Sequence, residues 1–76
     1  MPRIVIHRVR ATVSVHSLTR TVQHYTGLPL PEAQRAVDRA RAGERVELEL
    51  DDEYAAYDLA ALLGDLGATA EVDESH

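Results

Sequence analysis

Apolar positions recur along this chain with two different periods, and the changes of period divide it into segments. Ile4 to Val9 is rich in β-branched residues and bounded by Pro2, which predicts a strand; its continuous apolar start suits a central position in a sheet. From Ser14 the spacing becomes helical. Val15, Leu18, Val22 and Tyr25 share one face, Ser14 or Ser17 can cap the first turn, and Gly27 ends it. Leu28-Pro29-Leu30 is a tight connector, and Pro31 falls in a first helical turn, where its missing N–H is harmless. The second helix carries the stripe Leu30, Ala33, Val37 and Ala40 and closes at Gly43.

Arg45 to Leu50 alternates strictly, Val46, Leu48 and Leu50 against Glu47 and Glu49, as a strand wet on one side does. Asp51 and Asp52 then offer a cap to a third helix whose inward set is Ala55, Ala56, Leu59, Leu63 and Leu66, stopped by Gly67. Ala68 to Asp73 forms a last strand with Ala70 and Val72 inward, and Glu74-Ser75-His76 is expected to fray. The order strand-helix-helix-strand-helix-strand predicts an α+β fold in two layers. Inserting the first strand between the other two gives a three-stranded antiparallel sheet with the three helices on one face, which buries every stripe.

At 76 residues the chain holds one domain, close to the size at which a single core suffices, so association with further copies is a natural expectation. No linker, low-complexity tract or repeat divides residues 1–76. Cysteine is absent, which excludes disulfides and thiolate metal sites and suits a reducing cytoplasm. No run reaches the roughly 20 apolar residues of a membrane helix, and Met1 to His7 does not read as a signal peptide, so the protein is expected to stay in the cytoplasm. The net charge of −5 conceals a split: residues 1–45 hold eight arginines against three acids, and residues 46–76 hold ten acids and no base. Such a split either steers partners and head-to-tail association or places acids on a solvated face.

The stretch Thr26-Gly27-Leu28-Pro29-Leu30-Pro31-Glu32-Ala33-Gln34-Arg35-Ala36-Val37-Asp38 resembles the C-terminal domain of the bacterial ribosomal stalk protein, large-subunit protein seven/twelve. The likeness continues through Asp52, Ala56, Leu59, Leu63 and Leu66-Gly67-Ala68, covers about residues 4 to 73, and implies the same fold. In that family the domain recruits translation GTPases through basic and aliphatic residues on its first two helices. Arg20 keeps a basic position, whereas Gln23 and Gln34 stand where arginine or lysine is typical and Thr19 replaces an aliphatic residue. These 76 residues hold no counterpart of the family's N-terminal dimerisation and ribosome-anchoring segment or of its hinge, so a complete stalk protein is not expected. The adaptor of the Clp protease is similar in fold, but its acidic pocket is missing. His7-Arg8-Val9-Arg10-Ala11-Thr12 stands where the adaptor has Asn-Asp-Asp, and Ala40 falls near its pocket histidine, leaving a free amino group without a charged partner.

A search for chemistry returns no catalytic, cofactor-binding or metal-binding residues. His7, His16, His24 and His76 do not fall at metal-ligand spacing; His16 and His24 read as solvated helix residues and His7 as a partly buried imidazole with a local hydrogen bond. Asp51-Asp52-Glu53 is accounted for as a helix start, and no phosphate loop or nucleophile elbow occurs. Arg3, Arg8, Arg10 and Arg20 are the makings of a basic surface, but tyrosines 25, 54 and 57 are the only aromatics and the rest of the chain is acidic, which argues against nucleic acid.

The third helix is apolar around most of its circumference, through Tyr54, Tyr57, Ala60, Ala61 and Leu62. Either a second molecule covers it, or it is a wide helix with tolerated surface alanines and tyrosines. The expectation is a non-enzymatic protein-interaction module that self-associates through Tyr54, Tyr57 and Leu62. A partner surface is expected at His16, Arg20, Gln23 and Arg35, placed there by position on the first two helices. Alternatives are a translation-associated factor touching the ribosomal GTPases, a Clp-type adaptor, and a small structural domain serving a neighbouring protein.

Overall fold

The computed structural model describes residues 2–73, and there the chain forms β1 (Arg3–Val9), α1 (Val15–Thr26), α2 (Leu30–Arg41), β2 (Val46–Glu49), α3 (Glu53–Leu66) and β3 (Ala68–Asp73). The sheet is antiparallel with the order β2-β1-β3, so the first strand is central as its apolar start predicts. The fold is the expected small α+β domain. α2 packs on β1 and β2, α3 packs on β1 and β3, and α1 is held against α2 and α3. No helix among the described residues is long and apolar enough to cross a membrane. His76 and the frayed end expected at Glu74 to His76 lie outside the described residues.

α1 and α3 each start on a side-chain cap. Ser14 accepts a hydrogen bond from the N–H of Ser17 at 3.3 Å, and Asp52 accepts one from the N–H of Tyr54 at 3.1 Å, each satisfying a donor that the first turn leaves unpaired. α1 ends where Gly27 turns left-handed at φ 73° and donates to the carbonyl of Gln23. Thr26 spans this corner: its Oγ1 donates to the carbonyl of Val22 at 2.7 Å and accepts from the N–H of Leu28 at 3.2 Å. The Thr26-Gly27-Leu28 sequence thereby sets the angle at which α2 leaves α1.

The core joins Ile4 and Ile6 of β1 to Leu18 and Val22 of α1, Ala33 and Val37 of α2, Val46 and Leu48 of β2, and Ala56, Leu59 and Leu63 of α3. One expected core position is corrected. Leu30 is 44 % exposed, whereas Ala36, outside the expected stripe, is buried in the core. As the first residue of α2, Leu30 lies at the edge of the arc that Ala33, Val37 and Ala40 define, on the side toward α1.

A register shift between Ile6 and Arg8 in the β1–β3 pairing is the other departure from simple alternation. Ile4 and Ile6 point into the core, and uninterrupted alternation would send Arg8 after them. Two residues, His7 and Arg8, instead oppose a single step of β3; both are exposed, and Val9 packs against the core opposite Ala68.

The sheet face without helices interleaves charge. Val5 is 2 % exposed although it lies outside the main core, with Glu47 and Glu71 as its cross-strand neighbours. Arg3 sits between Glu49 and Asp73 and donates to Glu47 at 3.0 Å. His7 has its Nε2 3.2 Å from Oε2 of Glu71. Its side chain is exposed and its partner lies on another strand, which corrects the expectation of a partly buried ring with a local bond.

Candidate interaction surface on the first helix pair

α1 and α2 diverge from the Thr26-Gly27-Leu28 corner and leave a groove of about 350 Å³ between them. Val15, His16, Thr19, Arg20 and Gln23 line it from α1, and Leu30 and Gln34 line it from α2. Thr19 forms part of the floor: it is the one buried polar side chain among the described residues, and its Oγ1 donates to the carbonyl of Val15 at 2.8 Å. That bond consumes the hydroxyl donor within the helix, so the floor offers a partner methyl surface more than hydrogen bonds. Val15 and Leu30 supply apolar walls, Gln23 and Gln34 supply amides, and Arg20 supplies the formal charge.

Arg20 has no acidic side chain within ion-pair distance among the described residues, in contrast to Arg3, Arg39 and Arg41, which pair with Glu47, Glu44 and Asp38. Its guanidinium is left to solvent or to a partner, with the planar fork that suits a carboxylate. A second depression of about 350 Å³, between α1 and α3, is lined by Arg20, Thr21, His24, Tyr25 and Leu62. Arg20 thus stands on the crest of α1 with a hollow on either side. His24 and Tyr25 meet edge to face in the second hollow, with ring centroids 5.3 Å apart.

Of the four residues expected at a partner surface, the structure brings together His16, Arg20 and Gln23. Arg35 does not line the groove. One residue on from Gln34, it is turned by about 100° toward the outer surface of α2. The groove also recruits Leu30, which the sequence places in the core stripe, and Val15, which is half-buried. The signal for Leu30 is its place at the very start of the helix, at the edge of the arc that Ala33, Val37 and Ala40 define.

The trio on the third helix is split. Tyr54 and Tyr57 are 80 % and 51 % exposed on the outer side of α3, and Leu62, 39 % exposed, faces α1 in the second hollow. Five residues of helix turn Leu62 about 140° away from Tyr57, so one flat partner cannot lie on both. Leu62 belongs with Arg20. Among the described residues no three His, Cys, Asp or Glu side chains gather as a metal site would require. No known protein-family model matches the chain, and no curated protein matches its sequence.

Proposed function

We propose that this domain is a non-enzymatic protein-interaction module that receives a partner segment in the groove between α1 and α2. The observation that carries the reading is Leu30, a large aliphatic side chain left 44 % exposed beside an arginine that has no acidic neighbour of its own. Apolar surface next to an unpaired guanidinium fits a segment that presents an apolar side chain close to a carboxylate. A shallow groove of this kind binds a helix better than it encloses a small substrate.

The resemblance to the ribosomal stalk domain supports the same surface, because that family docks translation GTPases on its first two helices. Gln23 and Gln34 thin the basic character of the surface, so the module relies on Arg20 and Leu30. Translation GTPases are the first partners to test on this reading.

The experiment is affinity capture from a lysate of the native host with the immobilised domain, followed by titration of each captured protein in purified form. Partners that bind wild type and lose at least tenfold in affinity to an Arg20→Glu, Leu30→Gln variant support the reading. Partners held equally by both proteins move the docking surface elsewhere. Retention of no protein at micromolar concentration removes the reading.

A further inference from the structure

The exposed face of α3 has the chemistry that the α1–α2 groove calls for. Tyr54, Asp58, Ala61 and Asp65 fall at i, i+4, i+7 and i+11 and are all exposed, so they form one ridge along the helix. Tyr54 is 80 % exposed at the start of that ridge. α3 carries Glu53, Asp58 and Asp65 and no basic residue, and none of the three acids has a basic partner among the described residues. α1, in contrast, carries Arg20 and no acid. The domain therefore displays an acidic, aromatic ridge and a groove with an aliphatic wall and an unpaired arginine, both on rigid helices.

We infer that the occupant of the groove is a second copy of this chain, which inserts the Tyr54–Asp58 ridge of its α3 beside Leu30 and Arg20. The inference rests on the groove reading above and names its partner. Charge decides the geometry. Packing α3 against α3 around a two-fold axis brings Asp58 and Asp65 of one copy onto the same acids of the other, a like-charge juxtaposition with no basic residue on the helix to relieve it. Seating α3 on the α1–α2 groove replaces that repulsion with an arginine–carboxylate contact.

The contact is small. A standard interface takes about 800 Å² from each partner, which would be a large share of a molecule whose whole accessible surface is 4891 Å². One helix ridge in one groove covers less, so the association is weak and salt-sensitive.

Sedimentation equilibrium across micromolar to millimolar concentration tests this with three proteins. Wild type is expected to exceed the monomer mass at low salt and to return to monomer at about 0.5 M salt, where charge is screened within a few ångströms. Arg20→Glu, which blocks the groove, and Tyr54→Ala/Asp58→Ala, which blocks the ridge, are each expected to stay monomeric while keeping the wild-type circular dichroism spectrum, since the altered side chains are exposed. Mixed in equal amounts they are expected to form a heterodimer, because each contributes the one surface the other lacks. Wild type that stays monomeric throughout overturns the inference, as does association that Arg20→Glu leaves intact or a mixture that remains monomeric. Failure of the self-association leaves the groove reading standing, because that reading is tested separately, by capture of partners and its loss in Arg20→Glu, Leu30→Gln.

Discussion

Gly67 and Val13 are packed so closely that a Cβ on the glycine would lie 2.6 Å from Cγ2 of Val13. The same glycine has φ 105°, which side chains avoid, and its carbonyl accepts the N–H of Arg10 at 3.0 Å. Two separate penalties therefore meet at the turn between α3 and β3. Gly67→Ala is expected to cost about 2–4 kcal/mol, the sum of left-handed strain and overpacking. Gly27→Ala is the control: φ is 73° there and nothing lies within 4 Å of the added Cβ, so about 1–2 kcal/mol is expected from strain alone. Urea midpoints compare them. Equal losses would show that the Val13 contact relaxes freely.

The bulge at His7 and Arg8 yields a prediction about chain length. Removing Arg8 restores plain alternation, with Ile6 in, His7 out and Val9 in, and leaves the facing of β1 unchanged. The deletion variant is expected to fold and to lose less than about 2 kcal/mol, chiefly through altered twist and a shortened approach to α1. Deleting Val5 shifts Ile4 onto the open face and is expected to abolish cooperative unfolding. Thermal melts followed by circular dichroism separate the two, and a fold lost in both variants would mean that the bulge itself is required.

Arg3 and Val5 divide the work on the helix-free face of the sheet. The Arg3–Glu47 pair is 37 % and 44 % exposed at its side chains, so a double-mutant cycle is expected to give less than about 1 kcal/mol, fading in 1 M salt. Val5, only 2 % exposed under its charged neighbours, is expected to lose about 1–3 kcal/mol on truncation to alanine whatever the salt. A salt-dependent loss at Val5 would show that the charges, not the burial, hold this face.

What the sequence reveals of this fold follows from which signals are local. The Ser14 and Asp52 caps, the glycine stops and the Val46-Glu47-Leu48-Glu49 alternation act over a few residues, and the structure keeps each of them. The bulge at Arg8 depends on the pairing of β1 with β3, more than 60 residues on in the chain, and leaves no trace in β1 alone. The charge split is plain in the sequence, but its meaning changes on folding. Basic β1 is threaded between acidic β2 and β3, so part of the split is neutralised across the sheet. Site residues follow the same rule. His16, Arg20 and Gln23 share a face of α1 and can be grouped by period, whereas the association of Arg20 with Leu62 exists only once α1 and α3 are packed together.

Leu30 and Leu18 give the sharpest separation between holding the fold and using it. Both are leucines on the first helix pair, Leu18 at 2 % and Leu30 at 44 % exposure. Leu18→Ala removes atoms buried in the core and is expected to cost about 2–5 kcal/mol, the range for a cavity that relaxes only partly. Leu30→Gln keeps a side chain of comparable bulk, adds an amide that solvent can reach, and is expected to cost less than about 1.5 kcal/mol, since only part of the leucine's burial is lost. For binding, the order reverses. Leu30 would be covered only when the groove is filled, so Leu30→Gln is expected to weaken partner binding by at least tenfold, and Leu18→Ala, measured where it is still folded, by less than threefold. Urea denaturation and a titration monitored at the Arg20 guanidinium supply the two numbers for each variant. If Leu30→Gln proves as destabilising as Leu18→Ala while binding is unchanged, Leu30 is a core residue at the margin of the fold, and the groove loses the apolar wall on which its use as a docking site depends.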